Sequence, residues 1–552
     1  MTGAPPVPPA SSAASARDLA RAVMTALSRA GVDCLFGMPG GGPNLEKIGA
    51  GAAAGMRFVL THGETAACIT AGTYGLLTGR PGVCLVTRGP GLASAVNGAA
   101  QATLDRFPLV LISDTVPAAQ AARVPHQRLA QVELMRPVTK WAATLGSEAP
   151  AEVIRLALEL ALRPPAGAVH LDFDPTAPGD RLPHPSAPVV GPAGPEAEGA
   201  PPRFEPATVD RALALVSGAR RPVFVVGGEA IPWTAEVRAA VQAAGAPAFT
   251  TYHAKGLIPD SWPSCAGLFT NGASERPLLD AADLIVAVGL DPVEPIPADW
   301  RYHAPVLALH PWPITDPYYQ PAVDLIGPVG ASLAELDGAW RSDWTPAAGR
   351  EAKDAVLAAL RVEAAPDRLT PHQVVDGLRR AAPPGAVVTV DAGAHFLVAM
   401  PFWPAEEPRD VLISNGLATM GFSVPAAIGS ALARPDRPVV CLVGDGGLGM
   451  TLAELETIAR LDLPITVVVF NDAALSLIEV KQGEGHGGPE AVRYRPIDFA
   501  AAAVAFGLPS GVAEDAADLD RLLAAPWPLT PRLIDARIDP CVYAEVIRVT
   551  RG

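Results

Sequence analysis

The sequence lacks the features that would attach it to nucleic acid or to a membrane. Its 552 residues carry a formal net charge of −15, which argues against a partner held by neutralising phosphates. No uninterrupted apolar run reaches the roughly 18–20 residues that a bilayer-spanning helix needs. We therefore expect neither a nucleic-acid partner nor a membrane partner, and a small-molecule substrate is favoured.

Paired cysteines and a targeting segment are also missing. The 6 cysteines are scattered and contain no C-x-x-C pair, so neither a disulfide framework nor a zinc site is favoured. The first fifteen residues have no Lys or Arg and no continuous apolar core, unlike a signal peptide. We expect a disordered leader over residues 1–16 and a cytoplasmic location.

Stretches rich in proline and glycine divide the chain into three parts. Linkers are predicted at 184–206 and 344–370, with domains over 17–183, 207–343 and 371–552. In each domain short Val/Ile/Leu-rich strands alternate with helices, a pattern typical of parallel sheets buried on both faces. The predicted fold class is α/β, with three doubly wound parallel-sheet domains.

One glycine-rich turn, GDGGLG at 444–449, follows a predicted strand and fits the G-x-G-x-x-G pattern of dinucleotide sites. A T-x-x-E capping box at Thr451–Glu454 predicts that a helix opens after the turn. The carboxylate of Asp445 would repel a diphosphate unless a divalent cation such as Mg²⁺ lay between them. Asn471 ends the next strand and could supply a second oxygen ligand, with the carbonyl of Ala473 as a third. A metal–diphosphate site, a dinucleotide turn and ordinary turns all remain open at this point.

The order Gly-Asp-Gly, 24 residues, Asn resembles the motif of thiamine diphosphate-dependent enzymes. The resemblance extends from about residue 17 to 545 and is closest to the acetolactate synthase-like branch of 2-oxoacid decarboxylases and carboligases. It implies a pyrimidine-binding, a middle and a diphosphate-binding domain. It also implies that thiamine diphosphate and Mg²⁺ are the cofactors, with Mg²⁺ bound by Asp445, Asn471 and Ala473.

A second segment, THGETAACITAGTYGLLTGRPGVCLVTRGPG at 61–91, is similar to the pyrimidine-binding part of this family. It implies that Glu64 is the catalytic carboxyl, hydrogen-bonded to N1′ of the cofactor pyrimidine. An isolated glutamate is more often a solvated surface charge. Many relatives have His directly before this Glu, whereas this chain has Gly63 there and His62 one place earlier.

A third segment, SNGLATMGFSVPAAIG at 414–429, places Met420 between the two cofactor rings by resemblance, although Met is also an ordinary core residue. The carbonyl of Ala418 would accept from the 4′-amino group. The other cofactor contacts that the resemblance implies are Pro39, Gly40, Pro90, Gly393, Ala394, His395, Gly444, Gly446, Gly447, Leu477 and Ile478.

Substrate contacts are expected in the loops that follow the strands of the first and third domains. The candidates are Gly41, Arg88, Thr115, His126, Gln127, Leu477, Glu479, Lys481 and His486, and a structural or surface role is the alternative for each. Lys481 stands where biosynthetic relatives have tryptophan, and Thr115 replaces a usual glutamine. The second substrate is therefore expected to differ from that of a standard acetolactate synthase.

The middle-domain segments VGLDPVEPIPADW (288–300) and YYQPAVDLIG (318–327) resemble the flavin-free, catabolic type, so FAD is expected to be absent. The resemblance further implies a homodimer or a dimer of dimers with active sites shared between chains.

The expected activity is decarboxylation of a 2-oxoacid, pyruvate by default, and ligation of the remaining unit to a second carbonyl. The alternatives are a C–C lyase acting on a 2-hydroxyacyl compound such as a 2-hydroxyacyl-CoA, a simple 2-oxoacid decarboxylase, a non-catalytic binding protein of this fold, and a Rossmann oxidoreductase.

Overall fold

The computed structural model describes residues 10–180, 204–314, 319–362, 368–482 and 487–551. The first of its three sheets is formed by the N-terminal part of the chain. Its six parallel strands lie in the order β2-β1-β3-β4-β6-β5 and comprise β1 Cys34–Gly37, β2 Arg57–Leu60, β3 Gly82–Val86, β4 Leu109–Asp114, β5 Trp141–Leu145 and β6 Ala168–Phe173. The α-helices in this part of the chain are α1 Ala10–Arg29, α2 Pro43–Ala53, α3 Glu64–Thr78, α4 Pro90–Leu104, α5 Gln131–Met135 and α6 Pro150–Leu162.

The second sheet is also parallel and has the order β12-β11-β10-β7-β8-β9. Its strands are β7 Pro222–Val226, β8 Ala248–Thr250, β9 Cys265–Leu268, β10 Leu284–Val288, β11 Val306–His310 and β12 Val323–Ile326. The accompanying helices are α7 Pro206–Gly218, α8 Thr234–Ala244, α9 Arg276–Leu279, α10 Val329–Glu335 and α11 Ala348–Leu360.

The third sheet repeats the strand order of the first, as β14-β13-β15-β16-β18-β17. Its strands are β13 Val387–Val390, β14 Val411–Ile413, β15 Val439–Gly444, β16 Ile465–Asn471, β17 Ser510–Ala513 and β18 Arg532–Arg537. Its helices are α12 Pro371–Ala381, α13 Phe396–Phe402, α14 Ser423–Ala433, α15 Asp445–Thr451, α16 Glu454–Arg460, α17 Ser476–Gln482, α18 Phe499–Ala505, α19 Ala516–Leu523 and α20 Tyr543–Arg551.

The strand sequences explain these three sheets. The segments VVCLV of β15 and ITVVVFN of β16 are buried at every position, as strands covered by helices on both faces must be. Branched side chains favour the extended backbone, and the helical segments between strands make the parallel crossovers. The predicted α/β fold class with three parallel sheets is confirmed.

The chain forms two compact units. One contains the first sheet together with the short segment Ile428–Arg434, and the other contains the second and third sheets. The middle and C-terminal parts are joined by direct contacts, since Asn415 donates to the carbonyl of Glu294 at 2.7 Å and Arg238 forms an ion pair with Glu407 at 3.3 Å.

Three local predictions were wrong. Helix α1 begins at Ala10, so the predicted disordered leader does not extend to residue 16; residues 1–9 lie outside the described part. The predicted linker 344–370 includes α11, whose Gly349 packs against the backbone of Ser264. The glycine-rich turn opens its helix at Asp445, and Thr451 is the last residue of that helix rather than its cap.

Among the described residues, no helix is both long and apolar enough to cross a bilayer.

Candidate cofactor site

The loops after β13 and β15 meet at the carboxyl edge of the third sheet. The strand order β14-β13-β15-β16 reverses between the neighbouring strands β13 and β15. The chain runs from β13 to β14 on one side and from β15 to β16 on the other side. Ligands of open α/β sheets bind in the crevice at such a reversal. Most of the residues predicted to hold the diphosphate follow these two strands, so the topology brings them to one place.

Asp445 is the first residue of α15 and is buried. One carboxylate oxygen accepts from the backbone N–H of Gly446 at 2.7 Å, and the other accepts from the backbone N–H of Asp472 at 3.3 Å. Burial raises the pKa of Asp445, while a hydrogen bond from the Tyr494 hydroxyl opposes that shift. A cation placed at this carboxylate would relieve the desolvation cost of its charge.

Asn471 ends β16 and is also buried. Its amide nitrogen donates to the Ile497 carbonyl at 3.0 Å and to Asp535 at 2.9 Å. These bonds leave the amide oxygen as the atom that can coordinate a cation. Ala473 has φ 56°, a left-handed conformation that is costly for alanine, and its carbonyl accepts from the backbone N–H of Tyr494 at 3.1 Å.

A cradle of small residues surrounds Asp445. A Cβ on Gly447 would lie 1.9 Å from a carboxylate oxygen of Asp391, and one on Gly446 would lie 2.8 Å from Leu475. In contrast, a Cβ on Gly449 would meet nothing within 4 Å. The third glycine of the G-x-G-x-x-G match therefore has no packing role here, unlike the third glycine of a dinucleotide turn.

His395 packs against Gly393 and Gly444, where an added Cβ would approach its ring to 2.9 Å and 3.3 Å respectively. The ring stacks on Phe470 with centroids 5.1 Å apart. Burial lowers the pKa of His395 to about 4, and its Nε2 has no hydrogen-bond partner among the described residues. His395 lines the cavity described below, and its orphaned nitrogen would donate to a phosphate oxygen in the tautomer that carries the proton at Nε2.

The turn that carries Ala418 and Met420 is held by Asp391. This fully buried carboxylate accepts from the backbone of Gly421 at 3.0 Å and Phe422 at 2.9 Å. Burial raises the pKa of Asp391 to about 6, and these backbone bonds oppose the shift. Ala418 has φ 52°, and the Met420 methyl lies 3.3 Å from the Cβ position of Gly446. Ala418 and Met420 are thus brought beside the glycine cradle.

A cavity of about 530 Å³ opens above these groups. Its lining includes Ala394, Met420, Asp445, Leu477, Ile478 and Lys481. Glu479, another substrate candidate, forms an ion pair with Arg493 instead. His486 lies outside the described residues.

Sequence reasoning missed Asp391, Asp472, Tyr494 and Glu294. Asp472 lines the cavity, and burial raises its pKa to about 7, with the charge of Asp445 adding to the shift. Asp391 and Asp472 directly follow predicted strands, and that position is a signal that could have found them. Tyr494 and Glu294 reach the site only through tertiary packing.

The groups at this edge fit a hydrated divalent cation and a diphosphate. Carboxylate, amide and carbonyl oxygens are the hard ligands that Mg²⁺ prefers, and the ion usually keeps waters and phosphate oxygens as well. No cluster of three His, Cys, Asp or Glu side chains arranged for a metal exists in the described ranges. The glycines supply the space and backbone N–H groups that an anion needs.

In the other unit, Glu64 begins α3 and is half-buried. Its carboxyl oxygen lies 3.2 Å from the Cβ position of Gly91, directly after Pro90 at the start of α4. A Cβ on Gly40 would lie 2.4 Å from Thr87, so the loop with Pro39 and Gly40 touches the loop before Pro90. The first sheet therefore brings Gly40, Glu64 and Pro90 to one edge.

The substrate candidates of the first sheet differ in their burial and in their contacts. Arg88 donates to Gln127 at 3.4 Å, and Thr115 is half-buried just beyond β4. His126 is exposed, and a Cβ on Gly41 would meet nothing within 4 Å.

The middle sheet has its own reversal point, between β7 and β10. A carboxylate fills this crevice, because Glu294 accepts from Gly228 at 3.0 Å and from Thr251 at 2.9 Å. A dinucleotide phosphate placed at Gly228 would meet that carboxylate. The occupied crevice is consistent with the expectation that FAD is absent, which stays a prediction.

The fold and the site fit a class of protein that binds a diphosphate cofactor beside the third sheet. Comparisons with known proteins specify the class. The thiamine pyrophosphate enzyme N-terminal binding, central and C-terminal binding domains match residues 17–134, 209–336 and 391–535 respectively.

Known relatives agree with these matches. The chain is 30% identical to an acetolactate synthase of Bacillus subtilis, over 88% of this chain and 87% of that protein. It is 30% identical to the catabolic acetolactate synthase of Raoultella terrigena, over 91% of each chain. It is 31% identical to a probable 2-ketoarginine decarboxylase of Pseudomonas aeruginosa, over 92% of this chain and 91% of that one.

The chain belongs to the thiamine pyrophosphate enzyme family, as the resemblance predicted. It is a thiamine diphosphate-dependent, acetolactate synthase-like enzyme.

Proposed function

We propose that this enzyme, with thiamine diphosphate and Mg²⁺ bound, decarboxylates a 2-oxoacid and ligates the remaining unit to a second carbonyl compound. The observation that carries the proposal is the oxygen set of Asp445, Asn471 and Ala473 beside a glycine cradle. Thiamine diphosphate supplies a nucleophilic carbon and an electron sink when it is bound.

The residues have separate roles in this proposal. Asp445, Asn471 and the carbonyl of Ala473 hold Mg²⁺, and Gly444, Gly446 and Gly447 line the cavity that receives the diphosphate. Glu64 holds a proton at N1′ of the pyrimidine, and Met420 separates the two rings. Gly393, Ala394 and His395 face the diphosphate, while Leu477 and Ile478 face the substrate side.

Two further features belong to the proposal. The enzyme works without FAD, which the Glu294-filled crevice of the middle sheet supports. Its chains assemble as a homodimer or a dimer of dimers, which membership of the thiamine pyrophosphate enzyme family supports.

The test is CO₂ release from a panel of 2-oxoacids by the holoenzyme. We expect Glu64→Gln to lower turnover by roughly 10²–10⁴-fold, since it removes the carboxyl that handles the proton. Glu46→Gln is the matched control, because Glu46 is a surface residue of the same unit paired with Arg17. Equal turnover in Glu64→Gln and Glu46→Gln would contradict the assignment.

A second candidate function is simple decarboxylation without ligation. The 31% identity to a probable 2-ketoarginine decarboxylase favours it. Product analysis with and without an added aldehyde or second 2-oxoacid separates the two, since only a ligase forms a new C–C bond.

A further inference from the structure

Two cations lie together in the lining of the cavity. Lys481 is in the last turn of α17, and Arg551 is the last residue of α20. These two helices pack against each other, and both side chains line the cavity that holds Met420 and Asp445. The pair therefore belongs to the same cavity as the cofactor site but comes from a different part of the chain.

The described part of the chain offers these two cations no ion-pair partner. Among the described residues, no carboxylate forms an ion pair with Lys481 or Arg551. The nearby acids are engaged elsewhere, because Glu479 pairs with Arg493 and Asp472 accepts from Ser476.

Arg551 has a buried polar atom that lacks a partner among the described residues. Its Nε is buried and has no hydrogen-bond partner in the described structure. A buried guanidinium nitrogen without a partner is costly, and an anion drawn to this guanidinium group would offset part of that cost. Lys481 feels the same field, since burial and the Arg551 charge both lower its pKa.

The carboxylate that leaves as CO₂ is an unsuitable ligand for this pair. That group loses its charge as the C–C bond breaks, so ion pairs to it would stabilise the bound substrate more than the transition state. A second anionic group, which keeps its charge throughout the reaction, gains binding energy without this penalty.

Apolar side chains separate the cations from the cofactor residues. Leu477 and Ile478 precede Lys481 by about one helical turn, which is a rise of roughly 5–6 Å. Ile478 is 49% exposed and lines the cavity. The methylene groups of a short substrate tail match this apolar stretch.

We propose that Lys481 and Arg551 bind an anionic tail, so that the preferred 2-oxoacid carries a second carboxylate, as 2-oxoglutarate and its one-carbon-longer homologue do. The inference rests on the proposed 2-oxoacid decarboxylation and specifies its substrate class. The same pair disfavours a 2-oxoacid whose tail ends in a guanidinium.

The test compares kcat/KM of the holoenzyme for 2-oxoglutarate and for 5-methyl-2-oxohexanoate, in which a branched hydrocarbon replaces the second carboxylate. We expect at least about tenfold preference for 2-oxoglutarate, and a loss of about tenfold in Lys481→Met and in Arg551→Met. In both variants the ratio of kcat/KM for 2-oxoglutarate to kcat/KM for 5-methyl-2-oxohexanoate should fall about tenfold, and Lys481→Arg should keep the preference. Arg548→Met is the matched control, since Arg548 is exposed on α20 and pairs with Glu545.

A binding measurement separates failure of this inference from failure of the proposed function. Glutarate lacks the 2-oxo group, and its binding by calorimetry should weaken in Arg551→Met but not in Arg548→Met. CO₂ release without preference for 2-oxoglutarate would overturn the inference alone. Absence of CO₂ release from every 2-oxoacid, with glutarate binding still dependent on Arg551, would overturn the proposed function and leave the anion site standing.

Discussion

Buried acids concentrate beside the predicted cation site. Burial raises the pKa of Asp472 to about 7 and that of Asp391 to about 6, and it raises the pKa of Asp445 as well. Asp391 serves the backbone turn that carries Met420, so its role is positional. A cation held by Asp445 would compete with protons for these oxygens, as metal binding to titratable ligands does.

A histidine remote from this site makes stability depend on pH. His310 ends β11, is buried, and bonds to the Tyr319 hydroxyl at 3.0 Å. Burial lowers the pKa of His310 from 6.5 to about 4. The unfolded chain takes up this proton below pH 6.5, whereas the folded chain does so only near pH 4. The contribution of His310 to the free energy of unfolding should therefore be constant above pH 6.5, fall between pH 6.5 and 4 by up to about 3 kcal/mol, and then level off.

Urea unfolding at several pH values checks this expectation. His310→Gln should show a shallower decline than the wild type between pH 6.5 and 4. His303→Gln should decline as the wild type does, because His303 is exposed. Equal slopes for wild type and His310→Gln would contradict the assignment.

Helix α15 has to begin where its strand ends. Gly444 is the residue before the helix and Asp445 is its first residue, so no loop separates β15 from α15. This abrupt turn places the first residues of the helix in the lining of the cavity.

Two glycines of this helix should respond differently to alanine. Gly447→Ala would drive a methyl group into Asp391, 1.9 Å away, so we expect a loss of stability of about 1–3 kcal/mol and at least about tenfold weaker cofactor binding. Gly449→Ala meets nothing within 4 Å and should be neutral or raise stability by up to about 1 kcal/mol.

Thermal unfolding and thiamine diphosphate titration by tryptophan fluorescence measure both effects. A dinucleotide turn would need its third glycine, Gly449, so damage from Gly449→Ala as large as that from Gly447→Ala would count against the present account of the turn.

At the scale of the whole molecule, Glu64 and Asp445 belong to different compact units. The proposed sharing of active sites between chains can be tested by combining two inactive variants. If each site takes Glu64 from one chain and Asp445 from its partner, a dimer of Glu64→Gln with Asp445→Asn contains one intact site. Purified mixed dimers, in which one of the two sites is intact, should then regain about half of wild-type activity.

The two variants would be co-expressed with different tags, and CO₂ release would be measured on the purified mixed dimers. The control is a dimer in which both chains carry the same substitution. Activity no greater than that of either variant alone would show that the sites are not shared in this way.

Much of the fold could be predicted because buried strands are short segments of consecutive apolar residues, which can be read from the sequence. The continuous apolar segments of β15 and β16 are enough, by themselves, to indicate strands of a parallel sheet. The helix bounds were less accurate, since Thr451 can cap a helix or end one, and only the packing of Gly447 against Asp391 decides between these roles.

The chemistry of the site divides in the same way. Asp445 and Asn471 were predicted from residue type and spacing, and Glu64 from the family resemblance of its segment, because those are properties of a short segment. Glu294 and Arg551 carry no local signal, and they reach the cavity from segments far along the chain from the glycine-rich turn. The sequence was therefore sufficient for the family and the cofactor, whereas the cationic pair and the filled crevice of the middle sheet depend on long-range packing, which local pattern does not encode.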